Sequence, residues 1–194
     1  MPQPMKMLAI FLCLAFPVML FCSTSIATGK ASVTMSGYAI DSSGNLYIGK
    51  EYEIQVYDSG ILKYTINPQT SRAYVFTMDS NDRIILSTAS TVYTMSLQGD
   101  VLSEIEDYGT STYNKLASRK RFFTAANGDK YTLVSILGRF VILRNNREII
   151  YKMPVLDYVV KMLWWLVYLS SLVIVPIILV KWRRWDRKSS AFQK

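Results

Sequence analysis

The residues that most often do chemistry in proteins are scarce in this chain of 194 residues. It contains no histidine, and its two cysteines, Cys13 and Cys22, lie in one apolar run. A nucleophile activated by histidine and a zinc site with histidine ligands are therefore excluded. Catalysis would need a carboxylate pair or a Ser–Lys dyad, and no spacing in the chain singles one out. We predict that the protein is not an enzyme and that it holds no metal and no cofactor.

Oxygen-rich segments are the nearest approach to a cation site. Two of them alternate side-chain oxygens, and their residues are Asp41, Ser43 and Asn45 in the first and Asp79, Asn81 and Asp82 in the second. Such oxygens suit Ca²⁺. Asp and Asn side chains also bond to the backbone of their own turn, however, and no distant glutamate completes a calcium loop. We therefore interpret both segments as turns between strands.

Two further features have a binding interpretation and a structural one. Twelve tyrosines lie between Tyr38 and Tyr158; they could line a carbohydrate or peptide surface, although aromatic packing across strands explains most of them. The cluster Arg119-Lys120-Arg121 could contact anionic polymers or lipid headgroups, but a solvated loop is the favoured interpretation. Neither feature identifies a ligand, so a small molecule and a glycan both stay open.

The N-terminal segment has the layout of a signal peptide, predicted at residues 1–27. Lys6 precedes an apolar run of 16 residues from Met7 to Cys22, and small polar residues follow it. Ser25 and Ala27 place small side chains at the two positions that a signal peptidase inspects, which predicts cleavage after Ala27. The alternative is an uncleaved N-terminal anchor, for which this run is somewhat short.

A second apolar run predicts a transmembrane helix at residues 162–180. It has 19 residues without a charge, or about 28 Å of helix, which crosses a bilayer. Amphipathic and basic side chains flank it, as they do at membrane–water interfaces. The predicted interface anchors are Tyr158, Lys161, Trp164, Trp165, Trp182, Arg183, Arg184 and Trp185.

Charge at the two ends of this span predicts the topology. The tail at residues 181–194 is dense in Lys and Arg, whereas a short juxtamembrane linker at residues 155–161 precedes the span. The positive-inside rule places the tail in the cytoplasm. With a signal peptide, the chain is then a single-pass type I protein of the cell membrane, with residues 28–154 outside.

The section at residues 28–154 is predicted to be all-β and repetitive. Short runs rich in Tyr, Ile, Val and Thr alternate with Gly, Asn, Asp and Ser turns, which is typical of antiparallel strands. Three units at residues 36–67, 73–106 and 120–153 each give four strands in the same order. Their first turns are DSSG, DSND and ANGD, and their last turns lie at Ser59-Gly60, Gln98-Gly99 and Asn145-Asn146. A polar insertion before the third unit forms a loop or a short helix.

The motif from Asp41 to Gly49, DSSGNLYIG, identifies the kind of repeat. It resembles the sensory β-propeller repeats of the NHL and two-component-regulator types, and the match is degenerate in the second and third units. The resemblance implies a propeller-like architecture of four-stranded blades and brings no shared catalytic residues. Closed propellers usually need four or more blades. Three units therefore predict a homo-oligomer or a protein partner, and a self-contained sheet with blunted edges is the alternative.

The distribution of charge excludes nucleic acid as a partner. The net charge of the chain is +8, but residues 28–158 hold 14 basic and 13 acidic residues, so the excess lies at the ends. Membrane lipid is the partner that this pattern fits. The function predicted is a membrane-anchored, exported module for binding a ligand or a protein. The alternative is an accessory subunit of a membrane complex that acts through its transmembrane helix.

Overall fold

The computed structural model describes residues 3–28, 31–68, 70, 73–107, 110–119, 121–125 and 127–191, without the side chains of residues 3–4 and 184–191. These residues fall into two compact units. One is helical and comes from the two ends of the chain, Met1–Ala31 and Leu156–Lys194, and the other is Ser32–Val155.

The unit at Ser32–Val155 consists of three four-stranded antiparallel sheets, each formed by consecutive strands. The first sheet contains β1 (Gly37–Ile40), β2 (Leu46–Gly49), β3 (Ile54–Asp58) and β4 (Ile61–Ile66). The second contains β5 (Val75–Met78), β6 (Ile84–Ser87), β7 (Thr91–Met95) and β8 (Val101–Glu106). The third contains β9 (Phe122–Thr124), β10 (Lys130–Ile136), β11 (Arg139–Arg144) and β12 (Glu148–Lys152). These three propeller-like units confirm the all-β, four-stranded repeat expected from the sequence.

The three sheets repeat one another in detail. The first turn of each closes with the same backbone hydrogen bond, from Asp41 N to Asn45 O (3.1 Å), from Asp79 N to Arg83 O (3.0 Å) and from Ala125 N to Asp129 O (3.0 Å). The register between the third and fourth strands shifts once in each sheet, at Val56/Tyr57, Thr94/Met95 and Ile142/Leu143. One local geometry therefore recurs three times, although the sequence motif decays after the first unit.

Positive φ angles lie at the predicted turns. Gly44, Asp82 and Gly128 have φ of 86°, 55° and 85° at one and the same turn position of the three units. In the last turns, Ser59 and Asn145 both have φ of 50°. Residues with a small or short polar side chain tolerate this conformation, which tight hairpins need.

The main core lies between the first and second sheets. Successive side chains along a strand point to opposite faces, and residues in register on adjacent strands share a face. Ala39, Tyr47 and Val56 are in register, so they share one face of the first sheet, where they are buried. Phe76, Met78, Ile84 and Leu86 pack against that face from the second sheet. The other face of the first sheet presents Tyr38, Ile40 and Ile48, also buried. Both faces of β1 and β2 are thus covered, whereas most of β4 is exposed.

Three helices accompany the sheets: α1 (Gln3–Ala27), α2 (Ser111–Arg119) and α3 (Val155–Ala191). The polar insertion forms α2, which packs against β5 and β6. Asp107, four residues before the first residue of α2, accepts a hydrogen bond from Thr112 N (2.9 Å) and so satisfies one of the backbone N–H groups that a helix N-terminus leaves free.

The sequence prediction of one transmembrane helix after the β domain is corrected by a second apolar helix at the N-terminus. The segments Met5–Ala27 and Val155–Arg183 are both long and apolar enough to cross a membrane. α1 continues through Pro17. A proline inside a helix removes one backbone hydrogen bond, and an otherwise apolar helix tolerates this loss. Residues 155–161, expected as a linker, are helical and belong to α3.

Candidate functional site

A cleft of about 1040 Å³ lies between the first and third sheets, where the first turns of the two sheets face each other. Its floor is apolar and consists of the buried side chains of Ile40, Leu46 and Tyr131. Its rim is polar and consists of Ser42, Ser43, Ser59, Asn127, Arg144 and Glu148. Its volume lies at the upper end of the range of about 300–1,000 Å³ for small-molecule sites, and its accessible lining is more polar than apolar.

Aromatic residues fix the two walls of this cleft against each other. The Tyr38 hydroxyl donates a hydrogen bond to the carbonyl of Tyr131 at 2.7 Å, and Tyr57 meets Tyr151 edge to face with ring centroids 5.7 Å apart. Burial raises the pKa of Tyr38 above its ordinary value of 10.0. A hydrogen bond and packed aromatic rings therefore join the two walls of the cleft.

Asp41 lies in the cleft wall and has a structural task. One of its carboxylate oxygens accepts a hydrogen bond from Asn45 N at 2.8 Å. The other accepts from Asn45 Nδ2 at 2.7 Å and from the Tyr47 hydroxyl at 3.2 Å. This buried carboxylate is satisfied within its own sheet, so it shapes the first turn and leaves ligand contacts to its neighbours.

In the third sheet a different carboxylate organises the rim. Asp129 accepts hydrogen bonds from Asn145 Nδ2 (2.8 Å) and from Arg144 Nε (2.9 Å). These hydrogen bonds, of which the one from Asn145 has the larger effect, lower the pKa of Asp129 from its ordinary value of 3.8. Glu148 lies 3.8 Å from Arg144 Nη1. The guanidinium therefore lies between two carboxylates and stays half-exposed toward the cleft.

Hydrogen bonds also join the first turn of the first sheet to the first turn of the second sheet. The carboxylate of Asp82 accepts hydrogen bonds from Ser42 N at 3.0 Å and from the Ser42 hydroxyl. The third unit has Gly128 at the position of Asp82. Glycine has no side chain, so this position cannot provide the same link. The first and second units are thus joined at their turns by a device that the third lacks.

The oxygen-rich segments form turns, as the sequence indicates. Asp79 Oδ1 accepts hydrogen bonds from Asn81 N and Arg83 N, both at 2.9 Å. Oδ2 of the same residue accepts one from Arg83 Nε at 2.8 Å. Among the described residues, no group of three or more Cys, Asp or Glu side chains converges as a metal site.

The helical unit brings α1 and α3 together as an antiparallel pair. Cys22, near the end of α1, is fully buried, and its Sγ lies 3.8 Å from the carbonyl of Val160 near the start of α3. At the other end of the pair, Lys181 Nζ lies 3.6 Å from Met7 Sδ. Between them is an apolar cavity of about 390 Å³ lined by Phe11, Ala15, Phe16, Trp164, Val167 and Tyr168, among others.

The predicted interface anchors all lie on α3. Tyr158 and Lys161 are half-buried, and Trp164, Trp165, Trp182 and Arg183 are exposed. The side chains of Arg184 and Trp185 lie outside the described residues. Ala27, the predicted cleavage position, is the last residue of α1. In the basic cluster, Arg119 and Arg121 are exposed and Lys120 lies outside the described residues.

Sequence reasoning missed the rim residues Asn127, Arg144 and Glu148, and also Asp129, which binds Arg144. The signal for them is weak but present: the third unit has Ala125 where the first two have Asp41 and Asp79. Its turn therefore needs another carboxylate, and Asp129 supplies it from the end of the turn. Only the fold places Arg144, which follows 15 residues later, beside this group.

No protein-family model matches the chain, and no curated protein matches it. Part of the chain is similar to solved structures. A protein of unknown function from Bacteroides caccae is 11% identical with a TM-score of 0.32, over 61% of this chain and 44% of that chain. A streptogramin B lyase is 17% identical with a TM-score of 0.35, over 62% and 40%. A virginiamycin B lyase from Staphylococcus aureus is 16% identical with a TM-score of 0.35, over 63% and 42%.

The chain thus spans less than half the length of these proteins. The prediction that it is not an enzyme is corrected by this finding, since two of the similar structures are lyases. The reason is physical: a propeller-like scaffold fixes strands and turns, and the side chains placed on it decide whether chemistry follows.

Proposed function

We propose that this protein is a membrane-anchored module whose β unit lies outside the cytoplasm and binds a polyhydroxylated ligand of the saccharide class. The observation that carries the proposal is the cleft between the first and third sheets, with its apolar floor and polar rim. The apolar helices at both ends of the chain support membrane anchoring.

The chemistry of the rim favours a neutral ligand with many hydroxyl groups. Arg144 offers N–H donors, Glu148 offers acceptor oxygens, and the amide of Asn127 offers both. A hydroxyl group can donate to one of these side chains and accept from another. The buried Tyr131 closes the floor of the cleft below these polar groups.

Charge supports the orientation. α3 continues past its apolar section into Lys181 and Arg183, and basic residues are retained on the cytoplasmic side of a membrane helix. The start of α3, and with it the β unit that precedes it along the chain, then lies on the other side. The same topology holds whether α1 is removed or retained. If α1 is retained, it runs antiparallel to α3, so the β unit between the two helices still lies on the non-cytoplasmic side.

The test is titration calorimetry on the full chain in lipid nanodiscs, with neutral trisaccharides of different linkage as probes. Arg144→Ala should weaken binding about 10-fold or more, since a hydrogen bond from a charged donor contributes about 1.5–3 kcal/mol. The matched control is Arg83→Ala: Arg83 pairs with Asp79 in the first turn of the second sheet, as Arg144 pairs with Asp129, but lies outside the cleft. Absence of binding by every probe, or equal losses for both variants, would contradict the proposal.

A further inference from the structure

We propose that the tip of the β10–β11 hairpin, Ile136 to Arg139, is a second membrane contact, which inserts its leucine into the interfacial layer of the bilayer. The inference rests on the proposed anchoring through α3 and goes beyond it, since it assigns a lipid-binding surface to the β unit itself.

Leu137 is the most exposed residue of the apolar pair at this tip. It is 86% exposed, the largest value of any big hydrophobic side chain among the described residues, and Ile136 beside it is 54% exposed. Leu137 and Ile136 are adjacent at the hairpin tip, so most of the side-chain surface of Leu137 and about half of that of Ile136 faces away from the sheet. Transfer of these two side chains from water into lipid would bury apolar area, which is favourable.

The backbone conformation at Leu137 is one that leucine rarely adopts. Leu137 has φ of 49°, a conformation that suits Gly and Asn and is strained for a bulky side chain. The other non-glycine residues with positive φ in the described part of the chain are all polar: Ser59, Asp82, Thr110, Asn145 and Asn146. Asparagine or glycine would satisfy this turn at lower conformational cost. The apolar side chain therefore serves something outside the hairpin.

The tip lies beside the point where the chain leaves the β unit. Arg139 Nε donates a hydrogen bond to the carbonyl of Met153 at 2.8 Å, and Met153 N donates to the carbonyl of Phe140 at 2.8 Å. α3 begins at Val155, two residues after Met153, and two residues span at most about 7 Å. The tip therefore lies at the end of the β unit from which the chain continues into α3.

The neighbouring charges fit lipid headgroups. Arg139 lies at the base of the tip and Lys152 is exposed at the end of the adjacent strand β12. Basic side chains around an apolar tip match a surface that inserts about 5–10 Å into the headgroup and acyl boundary. The corresponding turns of the first and second sheets, at residues 50–53 and 88–90, consist mainly of polar residues, so this feature belongs to the sheet that leads into α3.

Spin labels on the full chain in nanodiscs of phosphatidylcholine and phosphatidylglycerol test the proposal, in a Cys13→Ser, Cys22→Ser background. Leu137→Cys reports on the tip, and Ile136→Cys is a second position should the first variant fold poorly. The matched control is Asn146→Cys, an exposed turn residue with φ of 57° at the opposite end of β11. Leu172→Cys reports on the middle of the apolar section of α3. Collisions with oxygen, which concentrates in lipid, are compared with collisions with a water-soluble nickel chelate.

We expect the labels at 137 and 172 to favour oxygen and the label at 146 to favour nickel. A label at 172 in lipid, with 137 and 146 equally open to nickel, overturns the tip contact and leaves the anchoring intact. A label at 172 that is open to nickel overturns the anchoring and the tip contact together. A label at 137 shielded from both reagents also overturns the proposal, because it shows that protein and not lipid covers the tip.

Discussion

Three buried tyrosines hold the β unit together through their hydroxyl groups. Tyr38 donates to the carbonyl of Tyr131, Tyr47 donates to the carboxylate of Asp41, and Tyr74 donates to the carbonyl of Glu53 at 2.8 Å. A buried hydroxyl without a partner is costly. These residues combine apolar packing with polar satisfaction, which explains why a chain rich in tyrosine can have them in a core.

The same tyrosines predict a stability that decreases in alkali. Burial raises the pKa of Tyr38, Tyr47 and Tyr74 above their ordinary value of 10.0. Because the folded pKa is raised, the stabilisation is complete below pH 10 and is lost as the pH rises above the unfolded value toward the folded one. We expect the unfolding midpoint to fall steadily above about pH 10. The tyrosinate absorbance, which marks ionisation of the exposed rings, should rise in the same pH range. An unfolding midpoint unchanged well above that pH would contradict the assignment.

The variant Tyr74→Phe separates this effect from general alkaline damage. It removes one titrating group and leaves the carbonyl of Glu53 without the hydroxyl of Tyr74. It should be less stable than the parent at neutral pH by about 1 kcal/mol. The difference between variant and parent should shrink as the pH rises above 10, since only the parent then loses stability at this site. A constant difference would show that Tyr74 does not titrate on unfolding.

At the scale of the elements, the approach of the first and second sheets depends on a glycine. A Cβ atom at Gly49, in β2, would lie 2.7 Å from Cε1 of Phe76 in β5 and 3.1 Å from its Cδ1. A side chain at position 49 must therefore push the two sheets apart or move the phenylalanine ring. The position of the Phe76 ring thus requires a residue without a side chain at position 49.

We expect Gly49→Ala to lower the free energy of unfolding by about 1–3 kcal/mol, as overpacking of a core does. The double variant Gly49→Ala, Phe76→Leu should recover part of that loss, since the smaller side chain frees the space. Urea unfolding of the four members of this cycle measures the coupling. Additive effects of the two substitutions would show that the close approach is relieved elsewhere.

The pairing of α1 with α3 leads to a prediction about the fate of the N-terminal helix. Cys22 Sγ lies 3.8 Å from the backbone carbonyl of Val160, and both residues are fully buried. A cysteine placed at position 160 should therefore form a disulfide with Cys22 in membranes treated with a mild oxidant, and the chain should still carry α1. The variant with Val160→Cys and Cys22→Ser, which leaves Cys13 on the exposed side of α1, should not form the intrachain bond.

Cleavage after Ala27 remains the competing prediction for this helix. A mature chain that begins at residue 28 has no Cys22 and cannot form the bond. N-terminal sequencing of the protein extracted from membranes thus decides between removal and retention of α1, independently of the oxidation chemistry.

At the scale of the whole molecule, the sequence predicts the repeat better than the site. Alternating apolar residues and turn residues such as Gly44, Ser59 and Asn145 define strands locally, so the three four-stranded units are predictable. The cleft depends on which sheets face each other. The contact between Tyr38 and Tyr131 joins residues 93 positions apart, and no local pattern encodes it.

The helical unit shows the same division. Length and hydropathy predict two apolar segments, since these are properties of each segment alone. Their pairing depends on the shape of one helix face against another, as at Cys22 and Val160. The sequence therefore indicates two elements that suit a membrane but leaves open whether the first is a removable signal or a lasting partner of the second.

The orientation of the whole chain is the last prediction, and it follows from charge at the helix ends. Arg183 is exposed at the end of the apolar section of α3, whereas Asn146 belongs to the β unit. If basic flanks stay inside, a cysteine at position 146 in intact cells reacts with a membrane-impermeant maleimide, and a cysteine at 183 reacts only after permeabilisation. Both variants carry Cys13→Ser and Cys22→Ser, and the unsubstituted background is the control for other thiols. The reverse pattern of labelling would place the β unit and its cleft in the cytoplasm and would remove extracellular ligands from consideration.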